Sequence, residues 1–392
     1  MKKCVIVGVT SSIAAYKSAQ LVSDLLKKGY DVEVIMSKNA CEFISPLTFS
    51  SLTKHKTYVD TFDRNVNYDI EHISLAKKAD CFIIAPASAN IIAKVANGLA
   101  DDMLSTVFLA FNGPKIIAPA MNSNMFLNPV TQDNLKKCEH YGIDIINPTS
   151  GKLACGDNGI GKLADIDELI NQIEYSLCDK PLKGKKVLIS AGPTIEKIDP
   201  VRYITNHSSG KQGYALAKAA YNLGADVTLV SGPVTLKALN GVKTIYINSA
   251  QEMFEAIISN YKDADIIIKA AAVADYTPVH YYDEKVKKHD DDMTIELKRT
   301  NDILKYLGEH KTESQTLVGF AMETQNLIEN AHQKLTHKNC DMIVANSIRQ
   351  AGAGFKGDTN VATLITKSGN EQLELMSKDK LAYYILNKII RK

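Results

Sequence analysis

The chain has almost no net charge: 46 Lys and Arg stand against 44 Asp and Glu in 392 residues, leaving +2. That gives no field strong enough to argue for binding to nucleic acid or an anionic membrane surface. Long apolar runs are also missing. Stretches such as Cys81 to Ala85 and Ile266 to Ile268 are of strand length, so no transmembrane segment is expected. The opening Met1-Lys2-Lys3 and its short apolar strand reach Gly8-Val9-Thr10-Ser11-Ser12 too soon for a signal peptide. The seven cysteines include no Cys-x-x-Cys pair and no histidine at ligand spacing. This argues against structural zinc and for a reducing, cytoplasmic compartment. There is no low-complexity tract, and the G-x-G-x-x-G fingerprint of a standard NAD fold is absent.

What is present is an α/β opening that occurs twice. Lys2 to Ser12 and Lys185 to Thr194 are each a short apolar strand that runs into a small-residue loop and then a helix. Each helix ends in a Gly before a second strand, Gly29 to Val34 and Gly224 to Leu229. That is the first βαβ unit of an open parallel sheet, and such sheets bind ligands beyond the carboxyl ends of their strands. The length fits two domains of about 200 residues. The reading is therefore two Rossmann-like α/β domains with mainly parallel sheets, residues 1–178 and 185–392. The linker is 179–184, where Lys180, Pro181 and Gly184 fall. Strands are expected near 3–8, 31–36, 80–85, 115–118 and 143–146, then near 186–190, 226–230, 243–247, 265–269, 316–320, 341–345 and 361–365. A last helix is expected over 378–390.

In the first half, Thr10, Ser11 and Ser12 offer hydroxyls and helix-start N–H groups to a phosphate or ribityl chain, or simply cap a helix. Ser88 and Asn90 follow one strand, and Asn122 follows the next, in Pro119-Ala120-Met121-Asn122. His72 opens a helical pattern. Residues 150–161 carry Gly151, Gly156, Gly159 and Gly161, which predicts a flexible loop. Cys155 sits inside it, where an acid of a lidded site would be needed.

Together these segments resemble the phosphopantothenoylcysteine decarboxylase family. The resemblance rests on the first loop, His72-Ile73-Ser74-Leu75-Ala76, Ala85-Pro86-Ala87-Ser88-Ala89-Asn90, Asp102-Met103-Leu104-Ser105-Thr106, Pro119 to Asn122 and Ala154-Cys155-Gly156. It covers residues 1–175 and implies a flavodoxin-like flavoprotein domain with FMN on Ser11, Ser12, Ser88 and Ser105. The implied substrate is 4′-phosphopantothenoylcysteine, whose thiol is oxidised to a thioaldehyde so that carbanion charge spreads onto sulfur as CO₂ leaves. Asn122 would hold the carboxylate, His72 would assist the oxidation, and Cys155 would protonate the enethiolate.

In the second half, Ser208-Ser209-Gly210 leads into a helix expected to begin at Ser209, with Lys211 beside it. Such a start suits a phosphate. Asp275 follows the apolar strand at 265–269, and Asp283 to Asp290 is a charge run that reads as a solvated loop or a cationic lid. Lys334 and Lys338 lie on one helical face. Asp199 to Lys211, Ala271 to Tyr276, Glu284 to Lys288 and Gly319 to Thr324 resemble the phosphopantothenate–cysteine ligase family, over residues 183–390. The resemblance implies a nucleotide-binding ligase that attacks CTP with 4′-phosphopantothenate to give an acyl-cytidylate, which cysteine then aminolyses. Asn206 would hold the acyl group and Lys285 would support cytidylyl transfer. Lys269, Ala270, Ala271, Asp275, Asn301, Asp302, Ile303, Leu304, Phe320, Lys334 and Lys338 would contact CTP, with Mg²⁺ across its phosphates. Gln212 departs from an expected Met, and no Pro precedes Asp302.

The two resemblances imply consecutive steps of coenzyme A biosynthesis on one chain. They also imply a homo-oligomer, trimeric through the flavin half and dimeric through the ligase half. Two other classes compete: a catalytically silent flavin-binding regulator, and a prenylating flavin enzyme. The joint presence of His72, Asn122 and Cys155 argues against the first, and the second half against the other.

Overall fold

Residues along the first strand alternate between two apolar layers. Val5, Val7 and Val9 pack on one face of a sheet and Ile6 on the other, all fully buried. A sheet covered on both faces must be apolar on both, which is why its strands read as continuous hydrophobic runs. A computed structural model of the chain describes residues 2–62, 71–152, 156, 158–287, 294–323, 326–347 and 357–391. It divides into two compact units, Met1–Cys178 and Asp179–Lys392.

The first unit runs β1 (Cys4–Val9), α1 (Ala15–Lys27), β2 (Asp31–Met36), α2 (Pro46–Thr53), β3 (Thr57–Tyr58), α3 (Glu71–Lys78), β4 (Cys81–Ala87) and α4 (Ala89–Ala96). It continues with α5 (Met103–Ala110), β5 (Lys115–Pro119), α6 (Ser123–Leu127), α7 (Pro129–His140), β6 (Asp144–Ile145), β7 (Thr149–Lys152), β8 (Asn158–Lys162) and α8 (Ile166–Leu177). Local chemistry sets the boundaries. Ser45 caps α2 by accepting from the Leu47 N–H, Pro46 supplies the first helical residue, and Lys54 at φ 64° ends it. The sheet order is β3-β2-β1-β4-β5-β6, all parallel. Without the two-residue β3, this is the flavodoxin order. Helices α1, α2 and α8 cover one face, and α3, α4, α5, α6 and α7 the other.

The second unit runs β9 (Lys186–Ala191), β10 (Ile195–Lys197), β11 (Tyr203–Thr205), α9 (Lys211–Asn222), β12 (Asp226–Ser231), β13 (Lys243–Tyr246), α10 (Ala250–Ile258), β14 (Ile266–Lys269), β15 (Tyr276–Pro278) and β16 (Leu297–Arg299). Then come α11 (Ile303–His310), β17 (Thr316–Glu323), α12 (Leu327–His337), β18 (Met342–Ser347), β19 (Thr359–Asn360), β20 (Ala362–Thr366), β21 (Gly369–Gln372), β22 (Met376–Ser377) and α13 (Lys378–Ile390). The main sheet is ordered β13-β12-β9-β14-β17-β18-β20-β21, with only β20 running antiparallel to its neighbours β18 and β21. Helices α9 and α13 bury one face, and α10, α11 and α12 the other.

Two expectations change. The segment around residues 150–161 is not an open loop: β7 and β8 pair antiparallel on either side of its centre. Gly159 and Gly161 serve close packing there. Helix α9 begins at Lys211, not Ser209, because Gly210 sits at φ 75°, outside helical geometry. Cys4, Cys81 and Cys340 are buried, and desolvation pushes their thiols up to about 12; that of buried Cys138 rises to about 11. Among the described residues, no helix is long and apolar enough to cross a membrane, and no three His, Cys, Asp or Glu side chains gather as a metal cluster.

Candidate active sites

In the first unit the winding reverses between β1 and β4, and the loops beyond their carboxyl ends diverge there. Thr10 bridges that gap. Its buried hydroxyl donates to the Pro86 carbonyl (2.8 Å) and accepts from the Ser88 N–H (2.9 Å). Thr10 therefore braces the loops instead of offering its hydroxyl to a phosphate. Beside it opens a cavity of about 660 Å³ lined by Ser11, Ser12, Ser88 and Asn122. Ser12 accepts from the Ala14 N–H (3.3 Å), and Ser88 caps α4 by accepting from the Ile91 N–H (3.4 Å). Asn122 caps α6 through the Asn124 N–H (2.9 Å). Asn122 is exposed as a residue and lines this cavity.

The β7–β8 hairpin is docked on the loop after β5. Met121 N–H donates to the Gly161 carbonyl (3.0 Å) and Ser123 Oγ to the Ile160 carbonyl (2.6 Å). A Cβ on Gly161 would come within 2.2 Å of the Met121 carbonyl oxygen, and one on Gly159 within 2.3 Å of Ser123 Oγ. The cavity wall includes Ile13, Tyr16, Met121, Met125 and Leu163, an apolar surface suited to a planar ring. Its cations are Lys17, Lys152 and Lys162. Burial lowers the Lys17 pKa, the charge of Lys162 lowers it further, and Asp165 opposes both. These hydroxyls, lysines and apolar walls fit a flavin with a phosphorylated side chain.

The sequence reading did not single out those lysines, although Lys17 follows Ile13 by one helical turn. Ser105 is elsewhere: it is buried, closes a capping box with Asp102 at the start of α5, and lines a separate cavity of about 330 Å³. His72 is half-buried in the first turn of α3 and is not among the cavity-lining residues. Cys155 lies outside the described residues.

The second unit repeats the reversal between β9 and β14, and a second buried threonine spans it. Thr194 Oγ1 accepts from the Ala274 N–H (3.0 Å), and its N–H donates to the Ala272 carbonyl (3.4 Å). Two adjoining cavities follow. One, of about 420 Å³, is lined by Asn301, Asp302, Ile303, Leu304 and Lys338. The other, of about 350 Å³, is lined by Asn206, Ala270, Ala271 and the start of α9. Lys269, Asp275, Phe320 and Lys334 line both. Burial brings the Lys269 ammonium down to about 8; the charge of Lys334 adds to this, while Asp302 and Asp275 oppose it. Burial alone would raise the Asp302 carboxyl, but Lys338 (2.5 Å) and the Lys305 N–H (2.9 Å) hold it below its ordinary value. Lys334 donates to the Phe320 carbonyl (3.1 Å). Asn206 donates to the Ala272 carbonyl (3.0 Å) from an exposed position.

Lys285 is exposed and lines neither cavity, but its neighbour is anchored. Asp199, buried, accepts from the Val201 and Arg202 N–H groups (both 2.8 Å), from Arg202 Nε (2.9 Å) and Nη2 (2.6 Å), and from the Val286 N–H (3.2 Å). Arg202 Nη2 also donates to the Val286 carbonyl (2.9 Å). This knot fixes the backbone next to Lys285, and no sequence pattern announced it. Burial alone would raise the Asp199 carboxyl, but Arg202 and the N–H donors hold it far below the usual carboxylate range.

Family models match both units: the "Flavoprotein" family over residues 1–177, and "DNA/pantothenate metabolism flavoprotein C-terminal domain" over residues 182–392. The fold and sites thus define a two-part flavoprotein of pantothenate metabolism. The chain is 49% identical over 390 residues to "Coenzyme A biosynthesis bifunctional protein CoaBC" of Bacillus subtilis (strain 168), spanning 98% of this chain and 96% of that relative. It is 43% identical over 391 residues to the protein of the same name from Haemophilus influenzae, spanning 100% and 98%. A solved C-terminal domain of a protein of that name shares 47% identity, with a TM-score of 0.47, and covers 54% of this chain and 97% of that one. The chain belongs to the family of coenzyme A biosynthesis bifunctional proteins.

Two substitutions test these sites. Gly161→Ala puts a methyl where the Met121 carbonyl stands, so the hairpin must lift; flavin retained on purification, read by absorbance, should fall roughly tenfold or more, since overpacking costs about 1–3 kcal/mol. Asp199 has a depressed folded pKa, so its contribution to stability is present above the ordinary carboxylate pKa and disappears as pH falls through the folded value. Asp199→Asn should therefore lower the neutral-pH melting temperature of the second unit and move its acid-unfolding midpoint to higher pH, followed by circular dichroism.

Proposed function

We propose that the chain joins cysteine to 4′-phosphopantothenate at the expense of CTP, and then decarboxylates the resulting 4′-phosphopantothenoylcysteine to 4′-phosphopantetheine. The observation that carries the reading is the pairing of two different sites on one backbone plan. One is an apolar cavity edged by serines, lysines and Asn122; the other is a double cavity in which lysines alternate with Asp275 and Asp302.

In the first unit, Ser11, Ser12, Ser88 and Lys17 would hold FMN, whose chemistry is to take a hydride equivalent from the substrate as its thiol is oxidised and to return it once CO₂ has left. Asn122, fixed by its cap, would orient the substrate carboxylate through its amide. Cys155, which falls between β7 and β8 in the sequence, would deliver the proton that accompanies the returning hydride. His72 and Ser105 keep the roles that the family resemblance gives them, with Ser105 acting through the α5 cap. Ile13 is 59% exposed and Tyr16 62% exposed at the cavity, apolar surface that would favour trimeric contacts with other copies.

In the second unit, the carboxylate of 4′-phosphopantothenate attacks the α-phosphorus of CTP and pyrophosphate departs. The amine of cysteine then attacks the acyl carbon, CMP departs, and the new amide nitrogen loses a proton. Asn206 would hold the acyl group at the entrance of the shared cavity, and Lys269, Asp275, Phe320, Lys334 and Lys338 would place the nucleotide, with Mg²⁺ across its phosphates. Asn301, Asp302, Ile303 and Leu304 would hold the base end. Lys285, tethered through Val286, would neutralise charge on the transferring phosphoryl group. Dimeric contacts are assigned to this half.

Supplying 4′-phosphopantothenate, cysteine, CTP and Mg²⁺ should yield 4′-phosphopantetheine and CO₂, with ATP a poor substitute. Cys155→Ser should retain FMN and still release CO₂ but lose final product roughly 100-fold or more, the usual contribution of a positioned acid; normal product formation would remove Cys155 from the role. Lys285→Gln should cut acyl-cytidylate formation roughly 100- to 1,000-fold and leave decarboxylation intact, as for loss of one transition-state charge contact. Unchanged ligation would refute its assignment.

A further inference from the structure

An amine that attacks an acyl carbon leaves a positively charged nitrogen, and some group has to take its proton. Three lysines stand where the two cavities of the second unit adjoin: Lys269 and Lys334 line both, and Lys338 lines the larger. Two of them are engaged. Lys334 donates to the Phe320 carbonyl (3.1 Å), and Lys338 pairs with Asp302 (2.5 Å). The side-chain nitrogen of Lys269 has no hydrogen bond or ion pair among the described residues.

The sheet fixes its position. Lys269 is the last residue of β14, in register with Ser190 on β9 and Gly319 on β17. Just beyond it, the Ala270 N–H donates to the Ser190 carbonyl (3.2 Å) and the Ala271 N–H to Ser190 Oγ (3.2 Å). Asn206, assigned to the acyl group, lines one of the cavities that Lys269 spans; Asn301 to Leu304, assigned to the base end of the nucleotide, line the other. Lys269 thus belongs to both halves of the site, and the reacting carbon of an acyl-cytidylate is the atom that joins those halves.

The surroundings favour a neutral amine there. Desolvation, with the charge of Lys334, brings the ammonium down to about 8 against the opposing charges of Asp302 and Asp275. The remaining charged groups that line the two cavities are all cations: Arg299 from β16, Lys338 from α12, Lys211 from α9 and Lys378 from α13. A lysine that releases its proton near neutral pH offers a lone pair, which a lysine held in an ion pair does not.

We propose that Lys269 is the proton acceptor of the amide-forming step. The neutral amine of cysteine attacks the acyl carbon, the C–N bond forms, and the C–O bond to CMP breaks with its electron pair left on the phosphate oxygen. The nitrogen, now positively charged, passes one proton to the lone pair of Lys269 Nζ, and the resulting ammonium releases it to water. This role rests on the ligase reading and gives its second step a base. It also divides the labour between two lysines, Lys285 acting on phosphoryl transfer and Lys269 on the amide.

The test uses the full chain with 4′-phosphopantothenate, CTP and Mg²⁺ in rapid-quench single turnovers, timing first the appearance of acyl-cytidylate and then its consumption by cysteine. Lys269→Met keeps the stem and Lys269→Arg keeps the charge, but neither side chain accepts a proton. In both, cysteine addition should slow about 100-fold or more, and acyl-cytidylate formation by a much smaller factor. The ratio of wild-type to Met rates cancels the titration of cysteine itself. It should rise with pH and level off, with an apparent pKa at or above about 8, because the bound phosphate adds a negative charge beside the ammonium. Hydroxylamine, whose addition product is acidic enough to give its proton to water, should be slowed far less than cysteine. Wild-type cysteine addition by the Arg variant would overturn the proposal, since the residue would then act as a charge; if the Met variant does not fold, this comparison still decides. A rate ratio independent of pH, or equal losses in both steps, would overturn it too, marking a nucleotide contact. If the wild-type chain forms no acyl-cytidylate, the ligase reading falls and this role with it; if it does, and the variants add cysteine normally, this role alone falls.

Discussion

A buried threonine crosses the reversal point of each sheet, and both sites depend on it. An open parallel sheet that winds outward in two directions from its first strand leaves the loops of its two central strands pointing apart. Thr10 in the first unit and Thr194 in the second close that gap with side-chain hydrogen bonds to loop backbone groups. Each bond adds about 1 kcal/mol net, but a buried N–H or carbonyl left unmet costs about 1–3 kcal/mol. The brace therefore fixes the separation of the two loops, and with it the mouth of each cavity.

On this shared frame the two units separate by electrostatics. The first cavity joins apolar walls to Ser11, Ser12 and Lys17; the second interleaves Lys269, Lys334 and Lys338 with Asp275 and Asp302. Lys17 and Lys269 both have ammonium groups depressed by burial, and both line cavities. Desolvation disfavours the charged form, so an anion bound beside either lysine offsets part of that cost. Asp199 works the other way. Its carboxylate is fully compensated in the resting fold, which suits a residue whose task is to hold the Val286 segment in place.

Most of the sheet was legible in the sequence because parallel strands buried on both faces are continuous apolar runs, and the predicted strand ends lie within three residues of those observed. The shorter pairs escaped: β10 with β11 and β15 with β16 involve three residues a side, too few to show an alternation. Site residues at strand ends, such as Ser88, Asn122 and Asp275, were visible from small residues and turn chemistry. Those brought in from a distance were not. Lys378 lies 167 positions from Lys211, and only the packing of α13 against α9 puts both on one cavity. Gly159 and Gly161 read as slack in the sequence but are tightly packed, because close approach and flexibility use the same residue. Thr10 and Ser11 look alike in sequence; only tertiary hydrogen bonding separates the brace from the neighbour facing the cavity.

The buried cysteines have a chemical consequence. Cys4, Cys81, Cys138 and Cys340 hold their protons well past neutrality and are shielded by the sheets and helices around them. In the proposed reaction a substrate thiol becomes an electrophilic sulfur species, which any accessible thiolate of the first unit could attack. By keeping Cys4, Cys81 and Cys138 as inert hydrocarbon-like filler, the first unit leaves such an intermediate few nucleophiles to meet, and self-inactivation is suppressed by burial rather than by excluding cysteine from the sequence.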